Sequence, residues 1–260
     1  MTVLSDPEKL RYHRHLILKE IGEAGQTLIR NTKFLVVGAG GLGCPVIQYL
    51  TAAGAGVIGI IDHDEIEISN LQRQVFYGFN DIGKLKSIVA STRMKRLNSF
   101  VDLIMINRRL TAQNALEIIA EYDVILDCTD NLESRYLIND ACIIQDKPMV
   151  HAAVHEYQGQ VSVFNYRNGP SYRCLHPETV PAIKVPRPVL GIYSVIPGII
   201  GLMQANEALK LVTGAGELLS GKLLIYNALN TQFLYIDIEK NPDNFNRENL
   251  MTRFKEAKTL

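Results

Sequence analysis

Ten residues, from Phe34 to Gly43 (FLVVGAGGLG), constrain the fold more than any other stretch of the chain. An apolar, β-branched run enters Gly38-Ala39-Gly40-Gly41-Leu42-Gly43 and leaves into a helical pattern, so strand, tight turn and helix follow as in a nucleotide-binding βαβ unit. Gly38 is expected to make the turn, Gly40 to let the backbone approach a phosphate, and Gly43 to bring helix and strand close. Amides at the helix start then face an anion. A second apolar run, Val57–Ile61, leads to Asp62, whose carboxylate can accept hydrogen bonds from ribose hydroxyls. These residues specify a nucleotide without saying which one.

The pattern continues with helices over 44–53, 84–97 and 111–122, the last capped by Thr111, and strands over 57–61, 102–106 and 124–126. This order predicts an α/β, Rossmann-like, largely parallel sheet with helices on both faces. Ligands of such sheets lie beyond the carboxyl ends of the strands. Gly38, Asp62 and the segment Asp127-Cys128-Thr129-Asp130-Asn131 all fall at such ends, so three separately read segments converge on one crevice.

Further on come a helix over 133–145, a strand over 148–153, and additional strands over 160–165, 223–227 and 232–236, expected to extend the sheet in antiparallel fashion near the C-terminus. Residues 1–260 read as a single domain: a helical arm over 5–31, a nucleotide-binding core over 32–166, a crossover loop over 167–191, a C-terminal helix and strands over 192–240, and a polar tail over 241–260. The crossover loop holds Pro170, Pro177, Pro181, Pro186 and Pro188 and is expected to be extended, as a mobile cover or a loose crossover. Residues 194–212 are apolar, but Gln204, Asn206, Glu207 and Lys210 interrupt them, which favours a core helix over a membrane span. The tail reads as a frayed end or a short surface helix.

Lys+Arg 27 balances Asp+Glu 27, so no large field of one sign favours nucleic acid or an anionic membrane. The N-terminus lacks the apolar core of a signal peptide, and the expectation is a cytoplasmic protein. Cys44, Cys128, Cys142 and Cys174 form no C-x-x-C pair and are expected to be free thiols. His151 and His155 stand about 13 Å apart if both lie on one strand, too far to share a metal, so a packed or surface role is expected.

The segment over 63–80 fits neither helical nor alternating periodicity, and long irregular segments in compact domains tend to be functional. Within it, Ser69-Asn70-Leu71-Gln72-Arg73-Gln74 follows Asp64, and Lys86 comes on the next helix. Two cations can thus reach the crevice. Asp130 can hold Mg²⁺ through oxygen, directly or through water, which completes a constellation for phosphate transfer.

RYHRHLIL, GAGGLG, IDHDEIEISNLQRQ, GKLKSIVA, DCTDN and VIPGIIGLMQANEALK, in this order, resemble the MoeB/ThiF adenylyltransferases, relatives of ubiquitin-activating enzymes. The resemblance runs from about Arg11 to Lys210 and beyond. It implies ATP-dependent adenylation of the C-terminal glycine of a ubiquitin-like sulfur-carrier protein ending in Gly-Gly, in a molybdopterin- or thiamine-type pathway. It further implies Gly41 along the phosphates, Asp62 at the ribose, Asn70 and Arg73 near the phosphates, Lys86 paired with them, and Asp130 on Mg²⁺. Asp64, Ser69, Leu71, Gln72 and Asn131 complete the implied nucleotide-binding set, and Arg14 is the position supplied by the other subunit of a homodimer.

Three departures from that family stand out. Many relatives carry two C-x-x-C pairs for zinc; here the first matches Ser171-Tyr172-Arg173-Cys174 and the second falls near 244–247, so no zinc is expected. The position of the family's thioester cysteine falls near Arg187, and no cysteine follows Cys174, so the reaction is expected to stop at the adenylate. Tyr193-Ser194 replaces a common leucine-glycine pair in the groove for the partner's tail. The alternatives are adenylation of a peptide or tRNA-bound group, a non-catalytic nucleotide-binding module, and an NAD-dependent oxidoreductase.

Overall fold

The computed structural model describes residues 3–177 and 191–259, with side chains through Glu256. Pro181, Pro186, Pro188 and the position near Arg187 lie outside the described residues.

Eight strands form one sheet: β1 (Lys33–Val37), β2 (Val57–Ile61), β3 (Asp102–Ile106), β4 (Val124–Asp127), β5 (Met149–His155), β6 (Gln158–Phe164), β7 (Lys222–Asn227) and β8 (Gln232–Asp237). Their spatial order is β3-β2-β1-β4-β5-β6-β7-β8. The first five run parallel, with Val36 beside both Ile60 and Leu126, and the last three continue the sheet antiparallel, as expected from the pattern. Strand order reverses between β1 and β4, which opens a crevice at their carboxyl ends.

The sheet is covered on both faces because its central strands are apolar on both. Phe34 and Val36 of β1 enter one core with Ile58, Ile60 and Leu126, while Leu35 and Val37 enter the other with Ile61 and Ile125. That double burial explains the unbroken hydrophobic run of a parallel strand. The first layer is closed by α4 (Gly43–Ala53), α5 (Lys86–Leu97) and α9 (Val195–Thr213), the second by α6 (Ala115–Ala120) and α7 (Leu132–Ile144). By length and composition α9 could cross a membrane, but it packs on α4, β5 and β6 and buries Gln204 and Glu207.

Three elements differ from the sequence reading. The helix expected over 111–122 begins only at Ala115, because Asn114 accepts a hydrogen bond from the Thr111 amide (2.9 Å) and holds the preceding residues in a turn; Thr111 is not its cap. The N-terminal arm is broken into α1 (Asp6–Arg11), α2 (His13–Leu16) and α3 (Gly22–Asn31). The crossover region contains a short helix, α8 (Tyr172–Leu175).

The polar tail is not frayed: it forms a short surface helix, as one of the two readings had it, anchored at two positions. A 3₁₀ turn, Pro242–Phe245, leads into α10 (Arg247–Thr259), whose Leu250 and Phe254 are buried. Phe254 joins the second core and α10 packs on α7. The tail is fastened at Cys174, whose sulfur accepts hydrogen bonds from the amides of Ser171 (3.4 Å) and Asn241 (3.3 Å) and from Nδ2 of Asn244 (3.5 Å). Of the stretch expected near 244–247, Asn244 meets Cys174, and Asn241 just before it does so as well. One thiol, one hydroxyl and two carboxamides do not make a donor set for structural zinc.

Candidate active site

The glycine turn behaves as its mechanics require. Gly38 adopts φ 99°, a conformation open to glycine without steric cost. A β-carbon on Gly43 would sit 2.0 Å from the Gly38 carbonyl oxygen, so this glycine sets the close approach of α4 to the turn. Gly38, Gly40 and Gly41 line a cavity of about 800 Å³ beyond the strand ends, while Gly43 packs behind it.

At the end of β2, Asp62 is 8% exposed and accepts hydrogen bonds from the amides of Ala39 (2.7 Å) and Asp64 (2.8 Å). Burial pushes its carboxyl up, against the pull of these amides and of Lys86, and the net direction is upward. The carboxylate ties β2 to the glycine turn, and a carboxylate has about four acceptor sites, so others remain for hydroxyls in the cavity. Asp64, half exposed, receives the buried ammonium of Lys86 at 2.8 Å. Burial raises the Asp64 carboxyl, but the bond and charge of Lys86 outweigh it and hold the group below its ordinary value.

Arg73 reaches the cavity wall with no carboxylate partner among the described residues; its Nη1 donates to the Ser69 carbonyl at 3.1 Å. Ser69, Asn70, Leu71 and Gln72 do not line the cavity. Residues 68–70 form a 3₁₀ turn in which Asn70 is buried, its side chain accepting from the Glu67 amide (3.2 Å) and its carbonyl from the amides of Arg73 (3.1 Å) and Gln74 (2.9 Å). They shape the turn that presents Arg73, and Gln72 reaches the Ile192 carbonyl at 3.5 Å instead.

The end of β4 supplies the opposite wall. Asp130 is exposed in the cavity, and among the described residues its carboxylate accepts only from Nδ2 of Asn131, at 3.5 Å. Asn131 caps α7, accepting from the Ser134 amide at 2.9 Å. An exposed carboxylate with no cation beside it offers the hard oxygen that Mg²⁺ takes, so this position fits the metal. Arg14, on α2, is exposed and lies away from the cavity wall of its own chain.

Several lining residues escaped the sequence reading: Arg108 and Arg109 after β3, Arg135 in α7, and Glu156 after β5; His155, for which a packed or surface role was expected, lines the cavity as well. The strand-end rule that found Asp62 would also have found the two arginines after β3. Asp127 was read with Asp130 but points the other way, into the core, where its Oδ2 lies 2.8 Å from Nδ1 of His151. Burial lowers the imidazole's basicity despite Asp127's opposing pull. For Asp127, burial raises the carboxyl but the His151 bond prevails, so the charge rests on the carboxylate. Cys44, Cys128 and Cys142 are buried free thiols, Cys44 pushed up by burial to about 12.

The ThiF family profile matches residues 12–247. The chain is 44% identical to the sulfur carrier protein adenylyltransferase of Thermus thermophilus, over 89% of this chain and 88% of that one. It is also 44% identical to the adenylyltransferase and sulfurtransferase MOCS3 of Xenopus laevis, over 90% of this chain but only 52% of that longer protein. The E. coli MccB structure with ATP superposes with a TM-score of 0.81 at 22% identity, covering 92% of this chain and 73% of that one, which establishes the shared fold. A matched profile over most of the chain and relatives at this identity place the protein in the ThiF family.

Proposed function

We propose that this protein adenylates the C-terminal glycine of a ubiquitin-like sulfur-carrier protein, using ATP. The observation that carries this reading is the grouping of Arg73, Lys86 and Asp130 around a glycine turn that can receive phosphates. The activities named for the Thermus relative and for the probable molybdopterin-synthase adenylyltransferase of Porphyra purpurea, 44% identical over 89% of this chain and 61% of that one, support it.

In the proposed reaction a carboxylate oxygen of the carrier attacks the α-phosphorus of ATP, the bond to the β-phosphate oxygen breaks, and pyrophosphate leaves. An anion must therefore approach a polyanion. Two unit charges about 4 Å apart repel by about 4 kcal/mol at an effective dielectric of 20, so the site has to neutralise charge as it forms. Gly40 and Gly41 let the backbone close on the phosphates, Asp62 accepts from the ribose, and Lys86 and Arg73 face the phosphate oxygens. Mg²⁺, held by Asp130, would screen the β- and γ-phosphates as the leaving group departs. Cys174 is the last cysteine of the sequence and is engaged in fastening the tail, which fits a reaction that ends at the acyl-adenylate.

Arg14 enters from a second copy of the chain in this proposal. Its exposure away from its own cavity supports that role, as does the neighbouring apolar surface of Leu10, Ile17 and Leu18. The test is ATP–pyrophosphate exchange with and without small proteins ending in Gly-Gly. Exchange that depends on one of them is expected and names the partner; tight ATP binding without exchange in any mixture would overturn the reading.

A further inference from the structure

The carboxylate that would meet the metal is not held by its own contacts, so its aim depends on the backbone beneath it. That backbone is unusually well fastened. Asp127, wholly buried at the end of β4, accepts from the amide (3.1 Å) and the hydroxyl (2.6 Å) of Thr129 through Oδ1, and meets His151 of β5 through Oδ2. Its carbonyl accepts from Nε2 of Gln204 in α9 at 2.8 Å, and the same amide donates to the Val150 carbonyl at 2.8 Å. Oε1 of Gln204 accepts from the Cys128 thiol at 3.3 Å. Residues 127–129 are thus fixed from β5 and α9 before the chain reaches Asp130.

His151 makes this arrangement specific. Its ring packs among Phe164 and Tyr172, and its Nε2 is buried with no hydrogen-bond partner among the described residues. An imidazole with a single polar contact holds one tautomer, with Nδ1–H donated to Asp127, because a proton on Nε2 would have no acceptor. The ring, the carboxylate and the Thr129 hydroxyl therefore have one arrangement that satisfies them all.

We propose that Asp127, oriented by His151 and Gln204, is a positioning residue that sets the metal dependence of the nucleotide step by fixing the 128–131 turn under Asp130. This rests on the adenylation reading above. Residues behind a metal-binding carboxylate typically contribute about 10- to 100-fold in metal affinity or activity, and a site must be held within about 0.5 Å to work.

Asp127→Asn preserves size but leaves His151 to donate to an amide or to expose a proton on its orphaned nitrogen. Calorimetric titration of ATP with and without Mg²⁺, together with pyrophosphate exchange across Mg²⁺ concentrations, tests the proposal in the full chain. The expected result is an apparent Mg²⁺ affinity lowered about 10- to 100-fold, with metal-free ATP binding unchanged. Thr129→Val, which removes only the hydroxyl, should shift Mg²⁺ dependence in the same direction if Asp127→Asn does not fold. His151→Gln, whose amide can still donate to Asp127, should recover most of the wild-type dependence. A lowered melting temperature with unaltered Mg²⁺ dependence in Asp127→Asn and Thr129→Val would show a purely structural role and overturn the inference. If the wild-type protein shows no metal-dependent ATP binding or exchange, the functional reading itself falls, and this inference with it.

Discussion

Two strand ends in this sheet carry aspartate pairs, each with an inner carboxylate tied to nearby backbone amides and an outer one on the cavity wall. At β2 the inner aspartate, Asp62, is buried against backbone amides and the outer one, Asp64, faces the cavity. At β4 the inner Asp127 is buried against Thr129 and His151, and the outer Asp130 faces the same cavity. The inner pair differs in aim, since Asp62 also lines the cavity while Asp127 faces the core, and the outer pair differs in its partners. Asp64 has Lys86 at 2.8 Å, whereas Asp130 has, among the described residues, only a carboxamide at 3.5 Å. Charge is balanced within the chain at one strand end and left open at the other. The open end is where a cation from outside has a place, and the balanced end delivers a lysine to the cavity already oriented by its carboxylate.

The largest effects should break or sustain that contrast directly. Asp130→Ala and Arg14→Ala are each expected to lower pyrophosphate exchange by about 10³. Asp130→Ala should leave stability within about 0.5 kcal/mol, as befits an exposed side chain. Mixed after subunit exchange, the two inactive variants should recover about a quarter of wild-type activity, because half the dimers are mixed and each has one intact site. No recovery, with subunit exchange demonstrated, would place Arg14 outside the site.

A smaller effect sharpens the balanced end. Lys86→Met should reduce exchange about 10²-fold, since it removes a charge from the phosphates and strands Asp64. Asp64→Asn should cost less than about 10-fold, because the lysine remains. Equal losses in the two variants would mean that the pair acts as a unit and that the contrast with Asp130 is drawn too sharply.

The smallest effect is on pH dependence. The Asp64 carboxyl lies below its ordinary value of 3.8 in the folded protein, so the stability it contributes is complete above that value and is lost as pH falls through the lower, folded one. Thermal melts from about pH 5 to pH 2 should therefore show wild type and Lys86→Met converging at the acid end. Curves that stay parallel throughout would indicate that the lysine contributes by packing rather than by charge.

Much of this architecture was legible in the residues. The strand, glycine turn and helix came from local periodicity and from glycines whose β-carbons would collide, and the crevice came from three segments sharing one end of a parallel sheet. In DCTDN the sequence singled out Asp130, which does face the cavity, but the task of Asp127 was not legible, because that depends on an imidazole 24 residues away in sequence meeting it across the sheet. Likewise Ser69, Asn70, Leu71 and Gln72 share a motif with Arg73, yet a single 3₁₀ turn sends the arginine to the wall and keeps the others off it. The docking of α10 escaped the reading because its polar sequence carries only Leu250 and Phe254 as deeply buried anchors.

The fastening of that tail at Cys174 has a consequence for how the chain completes itself. These hydrogen bonds to sulfur are made by the chain's own atoms, so the joint that leads into the last helix can close as soon as residues 171–174 and 241–244 have been made. An alkylating reagent that adds bulk to the thiol would compete with every amide that closes the joint.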